Sequence, residues 1–182
     1  KLYMLRAIWR EFGLQVSSSE VMIELSSFAE ACVNAAVIFA QLEMQKKFGL
    51  PEFITDAKQP ALNVLAMGKL GAKELNLSSD IDLIFSYIEN GNTSGGSDGS
   101  IAHTRYFDLL ARRVIRLLDT HSADGFVFRV DMRLRPFGEA GALVWQQTAL
   151  LDYYQNHGRD WERYAMIRAR MICGPKSGLL SQ

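Results

Sequence analysis

Two aspartates two residues apart are the first feature of this chain that suggests chemistry. Asp80 and Asp82 lie at the head of an apolar, β-branched segment, Ile81–Tyr87, whose composition is typical of a strand. Side chains alternate between the faces of a strand, so both carboxylates are expected on one face. Adjacent like charges are costly unless a cation lies between them, and Mg²⁺ accepts carboxylates while leaving positions for phosphate and water. The pair favours a metal site, although loop-capping or solvated aspartates show the same spacing.

A glycine turn precedes the pair. Gly68 and Lys69 follow a short apolar strand expected at 63–67, and they open a short helix. Backbone amides at such a turn can hold a polyphosphate, glycine permits the close approach, and Lys69 adds a positive charge. An ordinary strand-to-helix turn would also contain a single glycine, so this feature gains weight only from its neighbours.

A third carboxylate lies in an arginine-rich segment that we expect to form a strand over 126–135. With period two, one face of this strand is apolar, and the other carries Asp131 among Arg129, Arg133 and Arg135. This arrangement suits a metal ion beside a polyphosphate, with Asp131 on the cation and Arg133 and Arg135 on phosphate oxygens. A solvated face of alternating salt bridges is the alternative. Together the three aspartates suggest phosphoryl chemistry with two metal ions.

These motifs resemble a known superfamily. Gly68-Lys69, followed after ten residues by Ser79-Asp80-Ile81-Asp82, is similar to the motif of DNA polymerase beta-like nucleotidyltransferases, except that Lys69 stands where Ser is usual. Residues 67–85 (MGKLGAKELNLSSDIDLIF) and 129–139 (RVDMRLRPFGE) resemble more closely the adenylyltransferases of glutamine synthetase, a family that attaches AMP to a tyrosine of that enzyme and removes it.

The resemblance implies a function and a set of ligands. It implies a nucleotidyltransferase fold, with Asp80, Asp82 and Asp131 as ligands of two Mg²⁺ ions (Mn²⁺ being the alternative) and nucleotide or phosphate bound near Gly68, Lys69 and Ser79. It also implies glutamine synthetase as the protein substrate, ADP or ATP and phosphate as small ligands, and a PII-type nitrogen signal protein as regulator. Residues 158–170 (GRDWERYAMIRAR) look more like the adenylyl-removing half than the adenylylating half, which remains the alternative.

The rest of the chain predicts an α/β (α+β) domain with a small mixed sheet and helical extensions. We expect a helical lead-in at 1–50 with a capping box at Ser17–Glu20, a catalytic core at 51–146 and a helical segment at 147–182 that begins a bundle. The apolar face of the lead-in helix is expected at Leu25, Phe28, Cys32, Ala35, Phe39 and Leu42. A mobile loop is expected at 89–100, and helices at 101–118, 148–156 and 160–171. The chain, which starts at Lys1, reads as a fragment of a larger two-domain enzyme.

Composition narrows the alternatives. Twenty basic and twenty acidic residues give no net charge, so no overall field favours nucleic acid or an anionic membrane. Two distant cysteines favour a reducing, cytoplasmic location, and we expect no apolar run long enough to cross a bilayer. Two other classes compete with the nucleotidyltransferase: a glycosyltransferase that binds a metal–nucleotide-sugar through Asp-x-Asp, and a non-catalytic regulatory module.

Overall fold

One small mixed sheet forms the centre of the fold. The computed structural model describes residues 2–53, 61–123 and 125–174. Its strands are β1 (Asn63–Ala66), β2 (Ile81–Tyr87), β3 (Val130–Asp131), β4 (Val144–Gln146) and β5 (Arg170–Cys173). β1 pairs antiparallel with β2 and β5, whereas β3 and β4 pair parallel with the first and last parts of β2. The sheet and its flanking helices confirm the expected α/β class.

The helices precede, connect and follow these strands. They are α1 (Leu2–Ile8), α2 (Ser18–Phe48), α3 (Gly68–Gly71), α4 (His103–Asp119), α5 (Gln147–Asp152) and α6 (Asp160–Ala165). The Ser17 hydroxyl caps α2 by accepting from the amide of Glu20 (3.3 Å), whereas the Glu20 carboxylate pairs with Arg10. The predicted capping box is therefore half formed. The C-cap of α2 is Gly49, whose φ of 77° suits glycine.

The buried face of α2 is rotated from the predicted one. Its core residues include Val21, Leu25, Ala29, Val33 and Val37, and they pack with the sheet and α4 in one cluster. Of the predicted face, Leu25 is buried and Phe28 and Cys32 are half-buried, but Ala35, Phe39 and Leu42 are exposed. Small residues occupy the buried face of α2 because its backbone lies close to those of its neighbours. The sequence pattern, by contrast, predicts a face that includes larger residues.

α2 also bears on the expectation that no segment could cross a bilayer. Among the described residues, Ser18–Phe48 is long and apolar enough to do so by length and composition, so that expectation is wrong on those two criteria. A helix packed in a protein core passes the same test, and the α2 face just described lies in the core. Length and composition are therefore weak grounds for a membrane span here.

The glycine- and serine-rich segment 89–100 is held by hydrogen bonds, contrary to the mobile loop expected there. The amides of Gly95, Ser97 and Asp98 donate to carbonyl oxygens in the last turn of α2 (2.7–3.0 Å). His103 is buried, and its two ring nitrogens lie 2.8 and 2.7 Å from the carbonyl oxygens of Glu89 and Asn92. The segment thus satisfies helix carbonyls that have no partner within the helix.

Two further expectations are wrong in extent. The strand expected over 126–135 is reduced to Val130–Asp131, and the chain then turns back at 133–137. The helix expected over 160–171 ends at Ala165, and after a 3₁₀ turn the chain pairs with β1 as β5. Cys173, the last residue of β5, lies in the core. The division of the chain into domains stays a prediction.

Candidate active site

Asp82 lies against the turn that begins with Gly68. Gly68 has φ +53°, and a Cβ placed on it would lie 3.0 Å from a carboxylate oxygen of Asp82. The amide of Met67, one residue earlier, donates to the carbonyl oxygen of Asp82 (2.9 Å). Glycine is needed here both for the left-handed backbone and for the space that the carboxylate occupies. We call Gly68–Gly71, which forms α3, the glycine turn.

The strand pairing brings the third aspartate beside the second. β3 runs parallel to β2 with Asp82 opposite Asp131, so two carboxylates separated by 49 positions in the chain become neighbours. Asp80 precedes β2 and lies near enough for its charge to act on Asp82. The three aspartates predicted from spacing are therefore brought together.

Two arginines neutralise the outer members of this trio. Arg129 forms an ion pair with Asp80 and donates to the carbonyl oxygen of Ser78 (3.0 Å). Arg133 folds back on Asp131, with Nε at 2.8 Å and Nη2 at 2.5 Å from Oδ2, while its backbone amide donates to Oδ1 (2.8 Å). We call residues 129–139 the arginine loop. The arginines thus form salt bridges, as the alternative interpretation of this segment predicts. Both salt bridges, however, involve aspartates of the candidate site.

The carboxylates differ in their electrostatic environments. Burial raises the pKa of Asp82, and the negative charges of Asp131 and Asp80 raise it further. Hydrogen bonds from Arg133 hold the pKa of Asp131 below its ordinary value. Asp82 is thus the member of the trio whose charge is least well compensated by this chain.

An open pocket of about 480 Å³ lies beside the trio. Of the predicted site residues it is lined by Asp80, Asp131, Arg133 and Arg135, and its remaining charged lining residues are Asp119, Arg129 and Glu139. Sequence reasoning did not assign these last three residues to the site. Arg129 carried a signal, because it alternates with Asp131, whereas Asp119 ends α4 and has no local motif.

The other predicted phosphate ligands lie beside the trio or contact their own loops. The Lys69 ammonium donates to the Ser79 hydroxyl (3.4 Å), which itself donates to Asn76 (2.5 Å). The Arg135 guanidinium donates to the carbonyl oxygens of Met132 (2.7 Å) and Glu139 (3.2 Å), so it holds the arginine loop in shape. The phosphate-binding roles of Gly68, Lys69, Ser79, Arg133 and Arg135 stay predictions.

The glycine turn is supported from behind by the start of β5. A Cβ on Gly71 would lie 1.8 Å from the carbonyl oxygen of Arg168 and 2.6 Å from that of Ala66. The half-buried Arg170 donates to the carbonyl oxygens of Gly71 and Leu70 (3.1 Å each) and to Glu30 of α2 (2.6 Å). Sequence spacing could not find this support, since Arg170 lies about a hundred residues from the turn.

The three carboxylates suit a divalent cation, because they supply oxygen ligands and because they repel one another when no cation is bound. Oxygen ligands are those that Mg²⁺ prefers, and a cation would relieve the cost of three neighbouring negative charges. Within residues 2–53, 61–123 and 125–174, however, no three carboxylate, histidine or cysteine side chains are arranged around a common metal position. Asp80 and Asp131 are paired with Arg129 and Arg133 instead.

Comparison with known proteins places the chain in a family. The family model described as glutamate-ammonia ligase adenylyltransferase matches residues 1–179. Similar curated proteins are named bifunctional glutamine synthetase adenylyltransferase/adenylyl-removing enzyme. They include those of Nitrosococcus oceani (52% identical over 171 residues, 94% of this chain and 18% of the relative) and Pseudomonas aeruginosa (48% over 170 residues, 93% and 17%). The chain thus spans under a fifth of these relatives' length, and it belongs to the glutamate-ammonia ligase adenylyltransferase family.

Proposed function

We propose that this chain is the catalytic core of an adenylyl-removing enzyme, which releases AMP from a tyrosine of glutamine synthetase by phosphorolysis. The observation that carries the proposal is the convergence of Asp80, Asp82 and Asp131 beside a glycine turn and opposite arginines. Neither the glycosyltransferase nor the regulatory-module alternative accounts for this combination. The names of the relatives support glutamine synthetase as the substrate.

In the proposed reaction an oxygen of inorganic phosphate attacks the phosphorus of the tyrosine-bound AMP. The new P–O bond gives ADP, the bond from phosphorus to the tyrosine oxygen breaks, and the tyrosine oxygen takes up the proton that the attacking hydrogen phosphate releases. Mg²⁺ held by the three aspartates, or Mn²⁺ in its place, would stabilise charge on the attacking and leaving oxygens. Arg133 and Arg135 would bind phosphate oxygens, and Gly68 would let the backbone approach them closely.

The direction of transfer rests on the resemblance of residues 158–170 to the removing half. The alternative is the adenylylating half, in which the tyrosine oxygen attacks ATP and pyrophosphate leaves. The relatives' name includes both activities, and one carboxylate site suits both reactions, so the adenylylating half remains the alternative. A cytoplasmic location and a PII-type regulator belong to the same proposal.

Phosphorolysis tests the proposal directly. The chain is mixed with adenylylated glutamine synthetase, Mg²⁺ and phosphate, and ADP is measured beside an Asp80→Asn control. ADP formed by the intact chain and not by the control supports the removing activity. No ADP, together with AMP transfer from ATP to unmodified synthetase, would replace it with the adenylylating activity. If both reactions fail, a Mg²⁺ titration of the chain and of Asp82→Asn separates a metal-binding fragment that lacks other parts of the enzyme from a non-catalytic module.

A further inference from the structure

A second concave surface lies between α2 and α4, and it is strongly basic. This α2–α4 groove has a volume of about 490 Å³ and is lined by one carboxylate, Glu43, and by five cationic side chains: Lys46, Lys47, Arg112, Arg113 and Arg116. The whole chain has no net charge. A quarter of its basic residues thus line this single groove, which makes a local attraction for anionic groups.

Few of these cations have anionic partners. Arg113 binds Glu43 with two hydrogen bonds (2.6 and 2.9 Å), and Arg112 binds Asp108 on its own helix (2.9 Å). Both available carboxylates are thereby occupied. In the described part of the chain, the side chains of Lys46, Lys47 and Arg116 form no ion pair or hydrogen bond.

The helix dipole explains only part of this charge. Lys46 and Lys47 lie in the last turn of α2, where cations are favourable for helix stability. Arg112 and Arg113, by contrast, come from the middle of α4 and contribute to the same groove. Met44 and Leu109 add apolar surface between the charges, so the groove combines an apolar contact with a basic rim, which suits a polypeptide better than a bare inorganic ion.

The groove lies beside the candidate active site along α4. Arg116 lines the groove, and Asp119, three residues later on the same helix, lines the pocket beside the three aspartates. Residues three apart in a helix are neighbours on its surface and are separated by about 4.5 Å along the axis. A polypeptide bound in the groove would therefore extend toward the carboxylate pocket.

We propose that the α2–α4 groove docks an acidic surface segment of the protein substrate and so presents its modified tyrosine to the carboxylate pocket. This inference rests on the proposed function, because a protein substrate needs contacts beyond the reacting side chain. The charge complementarity would raise the association rate and would weaken as salt increases.

A charge-reversal pair tests the groove. We expect Lys47→Glu/Arg116→Glu to raise the KM for adenylylated glutamine synthetase, and its Kd in a direct binding measurement, about tenfold at low salt, with kcat retained. The difference in KM between this variant and the unsubstituted chain should shrink near 0.5 M salt, because the Debye length there is only about 4 Å. The neutral pair Lys47→Gln/Arg116→Gln should give an intermediate effect, and it serves if charge reversal impairs folding.

The matched control is Arg6→Glu/Arg163→Glu, which reverses two exposed cations that do not line the groove. Docking is overturned if groove and control variants have equal KM values, or if kcat falls while KM stays. It is also overturned if the groove variants lose affinity for ATP or phosphate alone, since the groove would then bind small anions. ADP formation with an unchanged KM removes the docking inference alone. If no ADP forms, the Kd for adenylylated glutamine synthetase tests docking by itself: a Kd raised in the groove variants supports docking, and an unchanged Kd overturns it.

Discussion

The two sides of the candidate site are built in different ways. The glycine turn is held by main-chain packing: Gly71 lies against the carbonyl oxygen of Arg168, and Arg170 binds two carbonyl oxygens of the turn from behind. The arginine loop contains a two-residue strand, and its charged side chains contact their own loop or the neighbouring aspartates. Arg129 and Arg133 are 54% and 72% exposed.

This difference separates a fixed side from an adjustable side. Close main-chain contacts resist displacement, because packed interiors tolerate little change in volume. Exposed ion pairs contribute little to stability and exchange partners easily, because water screens them. The glycine turn is therefore suited to setting the position of Asp82, and the arginine loop is suited to following charge that arrives with a ligand.

The largest effect is expected where the fixed side is most tightly packed. Gly71→Ala would place a methyl group within 2.6 Å of two backbone oxygens, so β5 or the turn must move. We expect the free energy of unfolding to fall by about 3 kcal/mol, at the upper end for overpacking. Urea denaturation measures it, with Gly99→Ala as a control: no neighbouring group lies within 4 Å of a Cβ there, and only its φ of +85° adds strain, about 1–2 kcal/mol. A loss similar to that of the control would show that the turn is not held by this contact.

The next effect concerns Arg170, which we regard as a positioning residue. Arg170→Lys keeps the charge near Glu30 but cannot form the forked contact with Gly71 and Leu70, and we expect a loss of about 1.5–3 kcal/mol in stability. If the turn then shifts, kcat for ADP release should fall about tenfold to a hundredfold, with little change in the KM for the protein substrate.

A purely structural role for Arg170 predicts a different outcome. Glu30→Gln removes the ion pair with Arg170 but leaves both contacts with the turn, so it is the matched control. Added guanidinium should restore part of the rate to Arg170→Ala. Equal kcat values for Arg170→Lys and Glu30→Gln, without rescue of Arg170→Ala, would mean that Arg170 does not position the turn.

The fixed side was also the more predictable from sequence. An apolar run bounded by polar residues predicts a strand at 81–87, and β2 has the same two ends. The glycine followed by a charged residue predicts the turn. The spacing of Asp80 and Asp82 about the start of that strand predicts that both belong to the site. Arg170 could not be found in this way, because its partners are Glu30 and main-chain atoms of residues 70 and 71.

On the adjustable side, the structure predicted from the sequence is wrong in extent. Alternating apolar residues predicted a strand over 126–135, yet Phe128 and Met132 are buried while Phe126 is 41% exposed. A local contact from Arg133 to Asp131 and the turn that follows replace the expected ladder. Likewise, the helical pattern near 170 gave way to β5 because the edge of β1 offered hydrogen bonds that local propensity does not include.

Two glycines allow the two sides to be compared under similar backbone strain. Gly68 and Gly138 have φ values of +53° and +56°, so alanine should cost about 1–2 kcal/mol at either position. Only at Gly68 does the new Cβ approach Asp82, at 3.0 Å, whereas at Gly138 the nearest atom lies 3.6 Å away. We expect Gly68→Ala to lower kcat about a hundredfold and Gly138→Ala to lower it far less. Equal losses of activity would contradict a special role for the contact between Gly68 and Asp82.

The smallest effects on stability are expected on the adjustable side. Arg129→Gln and Arg133→Gln each remove a largely exposed ion pair that water screens, so we expect little change in the free energy of unfolding. Their kinetics should nevertheless differ. Arg133→Gln should raise the KM for phosphate about tenfold, because one hydrogen bond to an anion is lost. Arg129→Gln should mainly lower kcat, since Arg129 connects Asp80 to the carbonyl oxygen of Ser78. If either substitution destabilises the fold as much as Arg170→Lys, the arginine loop is a fixed structural element, and the distinction between the two sides fails.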